Sequence, residues 1–228
     1  MTKLATPGPR RKKLPPNLPA PQVPAALLAQ VSALPQGQPT NTLNPLQLTY
    51  DAVSPMAPSA VIKDTPMDLY LQPGPARGIW REQATGALSS KQVSVRWRGL
   101  IELAATSDAG LDGLPAQESR LTSIDLVGDW QNLKPGSALG YSKTLTASTG
   151  KPFAQKFECS VGESFPAAQH VASLLGLGLG LARNVTCSAD NGLKSSSTYL
   201  YLEAYDLFVK TAERSMLLVQ VRKLKAAQ

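Results

Sequence analysis

From residue 91 onward this chain alternates apolar and polar side chains, and that period of two constrains its fold more than any other feature. In "QVSVRWRGLIELAA", residues 92–105, Val93, Val95, Trp97, Ile101, Leu103 and Ala105 share one parity, while Ser94, Arg96, Arg98 and Glu102 share the other. Alternation of this kind predicts a long strand with one buried face, with Gly99 marking a bulge. The same parity runs through Leu139, Tyr141 and Leu145, then Phe153, Phe157 and Val161, then Leu217, Val219 and Val221. "DAGLDGLP" and "LKPGS" between the runs are turn signals.

The expected body, residues 91–228, is therefore mainly β: an antiparallel sandwich or partly open barrel. One short helix is expected at "PAAQHVASLLG", opening on Pro166 and stopping at Gly176. "STYLYLEAYDLFVKTAER" reads as a strand followed by an irregular or helical end.

Proline and charge divide the remainder. Fifteen of the 19 prolines precede residue 76, and the first fifty residues carry no Asp or Glu. Residues 1–45 read as an extended basic arm with little to pack against itself. Residues 46–90, interrupted by Pro55, Pro58, Pro66, Pro73 and Pro75, read as an extended segment draped over the body, because proline cannot donate into a central ladder. Of the formal net charge of +7, five belong to Lys3, Arg10, Arg11, Lys12 and Lys13, so a near-neutral body carries a basic tail. The arm offers Arg10, Arg11, Lys12 and Lys13 as charges, and Leu14, Leu18, Leu27 and Leu28 as apolar anchors, for a partner surface. Protein neighbours in an oligomer or larger assembly suit that mixture best, with nucleic acid or an anionic surface as the alternative.

The only two cysteines, Cys159 and Cys187, flank the only histidine, His170. Both thiols share the parity of buried neighbours on separate strands. They lack the close spacing and further ligands of a zinc site, and burial does not suit a nucleophilic thiolate. A disulfide or a pair of reduced core cysteines remains. A disulfide closing such a loop contributes on the order of 3 kcal/mol in the chain-entropy model. His170 on a short helix reads as a packed or surface residue, and no catalytic residue, metal site or cofactor is expected.

"GLGLG" follows a helix rather than a strand and reads as a turn. Trp80, Trp97 and Trp130 read as core, Glu203 with Asp206 as a solvated face, and Arg96 with Arg98 as a charged exterior. No run approaches the 18 apolar residues of a membrane-spanning helix. "MTKLATPGPRRKK" followed by "VPAALLAQVSA" has parts of an export signal, but its apolar stretch is short and follows a run of prolines.

The succession "FECSVGESFPAAQ", "LLGLGLGLARNVTCS" and "YLYLEAYDLFV" resembles uncharacterised exported or envelope-associated two-cysteine β domains of proteobacteria, over about residues 130–210. The resemblance implies a disulfide between Cys159 and Cys187 and brings no activity with it. The expected function is that of a non-enzymatic structural or interaction protein, a component of an envelope complex or virus-like particle, that assembles through its β body and arm. The alternative is an exported, periplasmic binding module for a protein or small ligand.

Overall fold

The computed structural model describes residues 21–36, 46–85, 91–108, 116–148, 150–169, 180–190 and 195–227. Among these, twelve antiparallel strands form a closed barrel in which each strand pairs with its neighbours in sequence. They are β1 (Leu46–Ser54), β2 (Ala57–Pro73), β3 (Ile79–Thr85), β4 (Lys91–Trp97), β5 (Ile101–Asp108), β6 (Gln117–Val127), β7 (Ala138–Ala147), β8 (Pro152–Pro166), β9 (Leu181–Ala189), β10 (Ser196–Leu202), β11 (Leu207–Arg214) and β12 (Val219–Ala227). β1 pairs with β12 and closes the ring.

The mainly β, antiparallel expectation holds, and the barrel is closed rather than partly open. Residues 46–85 are not draped over it but supply three of its staves. Their prolines fit because β2 pairs with β3 only between Asp68 and Pro73, leaving Pro58 and Pro66 where β2 has one neighbour. Residues 92–105 are two strands rather than one. Arg98 (φ 50°) and Gly99 (φ 73°) form a tight turn in which Leu100 N donates to Trp97 O at 3.0 Å, the positive-φ pair that suits a hairpin's twist.

Only the start of the expected short helix falls within the described residues. Pro166 ends β8 and is followed by a single 3₁₀ turn, Ala167–Gln169; the rest of the expected helix, with His170, lies outside the described residues. An α-helix, α1 (Ala25–Ser32), forms within what reads as the arm. "STYLYLEAYDLFVKTAER" is the β10–β11 hairpin, joined by a 3₁₀ turn at Glu203–Tyr205.

Antiparallel partners point to the same side of a sheet, so the ladder traces one face around the ring. Glu82 pairs with Ser94, Trp80 with Arg96, Arg96 with Glu102, Tyr141 with Phe157, Cys159 with Cys187, Val185 with Tyr199, Tyr199 with Lys210, and Tyr50 with Arg222. On β7–β10 this face buries Tyr141, Cys159, Val185, Cys187 and Tyr199. On β8 the opposite face carries exposed Lys156, Glu158 and Ser160. No helix of the described residues is long and apolar enough to cross a membrane.

At one end the barrel is pinched. β4 and β11 are not neighbours, yet Phe208 N donates to Arg98 O at 2.8 Å. The core divides accordingly: Tyr199, Tyr201 and Phe208 join a cluster with Trp97, Trp130 and Tyr141, while Leu200, Leu202, Leu207 and Val209 join one with Leu48, Leu69, Leu71 and Trp80. The β10–β11 hairpin is thus buried on both faces. The outer side of β3–β4, with Ile79, Val95 and Trp97, packs with Leu27 and Val31 of α1.

Candidate functional site

Among the described residues, the parity that elsewhere places apolar residues also carries charges, and seven of them gather inside the ring. Arg96 lies 3.5 Å from Glu82 and 3.2 Å from Glu102, and its Nε donates to Ser94 Oγ at 3.0 Å. Ser119 donates to Glu102 at 2.7 Å. Across the barrel Lys210 pairs with Glu213 at 3.1 Å, and its Nζ lies 6.0 Å from the Tyr199 ring centroid. Lys143 on β7 places Nζ 5.3 Å from the Phe157 ring centroid, and Arg222 on β12 donates from Nε to Gln220 at 3.0 Å. Among the described residues neither Lys143 nor Arg222 forms an ion pair.

These groups feel one another across the lumen. Burial opposes the Arg96 charge, but Glu82 and Glu102 outweigh it and hold its pKa above the usual value. Burial pushes Lys143 down to about 8, with Glu102 opposing and Arg96 and Lys210 adding to the shift. Arg222 is lowered, first by burial, against the pull of Glu82 and Glu213. For Glu213, burial acts to raise the pKa, but Lys210 outweighs it and brings the carboxyl down. Four cations face three carboxylates, an excess of one positive charge on a wall lined by Tyr141, Phe157 and Tyr199.

A second buried constellation sits at the pinch. Arg98, 0 % exposed, pairs with Asp206: its Nε donates to Asp206 Oδ1 at 2.7 Å, its Nη1 to Trp130 O at 2.5 Å and its Nη2 to the Tyr201 hydroxyl at 3.1 Å. Tyr201 in turn donates to Asp206 at 3.0 Å. Both ion-pair partners hold left-handed backbone, with φ of 50° and 48°. Each guanidinium nitrogen of Arg98 has a partner inside the protein, so this cluster is a structural lock.

The expected site residues scatter. Cys159 and Cys187 are joined in a disulfide between paired positions of β8 and β9. Arg10, Arg11, Lys12, Lys13, Leu14 and Leu18 lie outside the described residues. Leu27 is buried and Leu28 half-buried against the chain's own barrel, so that side of the helix is occupied by this molecule rather than held open for a partner. Arg96 and Arg98 do not form a charged exterior: Arg96 faces the lumen and Arg98 is fully enclosed. Asp206, read with Glu203 as a solvated face, is likewise buried. Trp80, Trp97 and Trp130 are core, as their scarcity suggests.

Sequence reasoning missed Lys143, although it stands at the apolar parity between Tyr141 and Leu145. A charge at a position the pattern buries was the available signal. β12 is reversed from its reading, since Gln220 and Arg222 follow the lumen face and Val221 is 44 % exposed. Among the described residues no group of three or more His, Cys, Asp or Glu is placed to hold a metal ion. No protein-family model, curated protein or solved structure matches this chain.

Proposed function

We propose that this chain is a non-catalytic binding barrel that takes the anionic group of a small, partly aromatic ligand into its lumen. One observation carries the reading: among the described residues, Lys143 and Arg222 are charged groups on the inner wall with no carboxylate partner, inside a constellation with more cations than anions. A desolvated cation without a counterion is costly, and a ligand carboxylate or phosphate relieves that cost on binding. Tyr141, Phe157 and Tyr199 supply the apolar wall such sites use for the rest of a ligand. The test is calorimetric titration with benzoate. Arg222→Gln should weaken binding roughly tenfold, about 1.4 kcal/mol, and unchanged affinity in that variant would refute the site. The Cys159–Cys187 disulfide supports an oxidising compartment for the folded chain.

A second reading, assembly with further copies of the chain, has its own support. Six of the nine exposed large hydrophobics among the described residues come from the adjoining β1–β2 and β11–β12 hairpins: Met56, Val61, Ile62, Met216, Leu217 and Val221. Val53 pairs with both Val61 and Val219, which brings the two hairpins side by side. The flanking charges Asp51, Lys223 and Asp64 compensate one another, so a partner face of the same make-up fits better than one of single sign. The basic residues 10–13 would add a salt-sensitive contact to such an assembly. Sedimentation of Val61→Lys/Leu217→Lys should show a smaller particle than the parent chain; equal masses would remove this surface from the assembly.

A further inference from the structure

A cleft of about 480 Å³ opens on the outside of the barrel, between the start of α1 and the β2–β3 turn. Pro21, Val23, Leu28, Pro73, Pro75 and Val95 give it apolar walls. Arg81 is the one charged residue in its described lining. Arg81 pairs with Gln72 and Val95, so it lies on the side of β3 that meets α1 and away from the lumen face of Glu82. It is half-buried, and among the described residues its guanidinium has no ion pair or hydrogen bond. The first twenty residues, which lead to the cleft at Pro21, contain no Asp or Glu. The chain's own arm therefore has no carboxylate side chain to offer Arg81.

The walls are set in advance. Gly74 N donates to Ile79 O at 2.7 Å and Ile79 N to Ala76 O at 3.1 Å, which fixes the turn beside Pro73 and Pro75. Leu27 and Val31 hold α1 against the barrel on the other side. Proline has no side-chain rotamers to lose when a ring settles on it, and preformed apolar walls around a few polar anchors are the usual make-up of a small-molecule site. α1 also begins here without a side-chain cap and with no acidic residue in its first turn, so its positive end is not neutralised from within.

We infer that this cleft is a binding site separate from the lumen, and that its ligand is a carboxylate carried on an apolar ring. Arg81 takes the carboxylate through its planar fork of N–H donors, and the proline faces bound the ring. The counter-charge arrives with the ligand, which relieves a partly desolvated guanidinium of its missing partner. The site goes beyond the lumen reading and does not depend on it.

The test uses the whole chain and 4-benzoylbenzoate, whose affinity is measured by calorimetry and whose position is fixed by photo-crosslinking and peptide mass mapping. The adduct should fall within residues 21–28 or 72–81. The neutral amide, 4-benzoylbenzamide, should bind at least tenfold more weakly. Arg81→Gln should lose at least tenfold in affinity for the carboxylate, and Arg222→Gln should leave that affinity unchanged. An adduct at Tyr141, Phe157 or Tyr199, with the loss in Arg222→Gln instead, would place the ligand in the lumen, refuting this site and supporting the binding barrel. Equal affinity for acid and amide, or no binding at all, would refute this site and leave the lumen to the benzoate titration. The crosslink and the amide comparison are read on the unmodified chain, so they decide the matter even where Arg81→Gln folds poorly.

Discussion

Two cations, Arg98 enclosed and Lys143 half-buried, frame the energetics of single residues here. Arg98 is fully paired, so its removal leaves Asp206 buried without a counter-charge, a loss of about 3–5 kcal/mol. Chemical denaturation of Arg98→Met should show that loss, and a change under 1 kcal/mol would mean the pair is not the lock at the pinch. Lys143 has the opposite sign. Its folded pKa of about 8 lies below its ordinary value of 10.5, so the unfolded state holds the proton more tightly. Stability should therefore rise as pH climbs from about 8 to 10.5, and the penalty is fully present below pH 8. Lys143→Met should stabilise the protein at pH 7 by about 1–3 kcal/mol, and the gain should shrink at pH 10. A gain independent of pH would show that the methionine merely packs better. A binding residue that lowers stability is what a functional site is expected to contain.

At the scale of elements, parity recovered β7 and the Phe157–Val161 part of β8, where the outer faces meet water and the inner faces are covered, but not Phe153, which is 44 % exposed. It failed where both faces are covered. β4 carries Val93, Val95 and Trp97 on the side that meets α1 and Ser94 and Arg96 on the lumen side, so apolar residues here face away from the barrel interior. The turn at Arg98–Gly99 was hidden because arginine is not a usual residue at positive φ, and only the buried pair with Asp206 makes it tolerable. α1 was read as arm because the prolines around it dominate the composition, while its eight residues are too few to declare a helix without the barrel wall behind them. Leu27→Ala should accordingly cost about 2–4 kcal/mol in thermal or chemical unfolding; a neutral result would show that α1 contributes nothing to the body. Between β8 and β9, replacing both Cys159 and Cys187 by serine should lower stability by roughly 3 kcal/mol, measured against the same double variant's oxidised parent.

For the whole molecule, the class of fold was legible and its closure was not. Period-two runs specify strands, but nothing local announces that Val53 will meet Val219. The lumen was illegible for the same reason: Glu82, Arg96, Lys143 and Arg222 are distant in sequence and become a set only when the ring turns them toward one centre. That closure also orders events in time. Contacts between β1 and β12 join the most widely separated elements of the barrel, and such topologies fold slowly because loop entropy is spent before those contacts form. Of the twelve strands β12 leaves a ribosome after the others, so every nascent molecule passes through an interval in which β1 has an unsatisfied edge and the lumen charges have no opposite wall. Protection of that edge during synthesis, by a chaperone or by slow local pairing, is a demand the ring itself imposes.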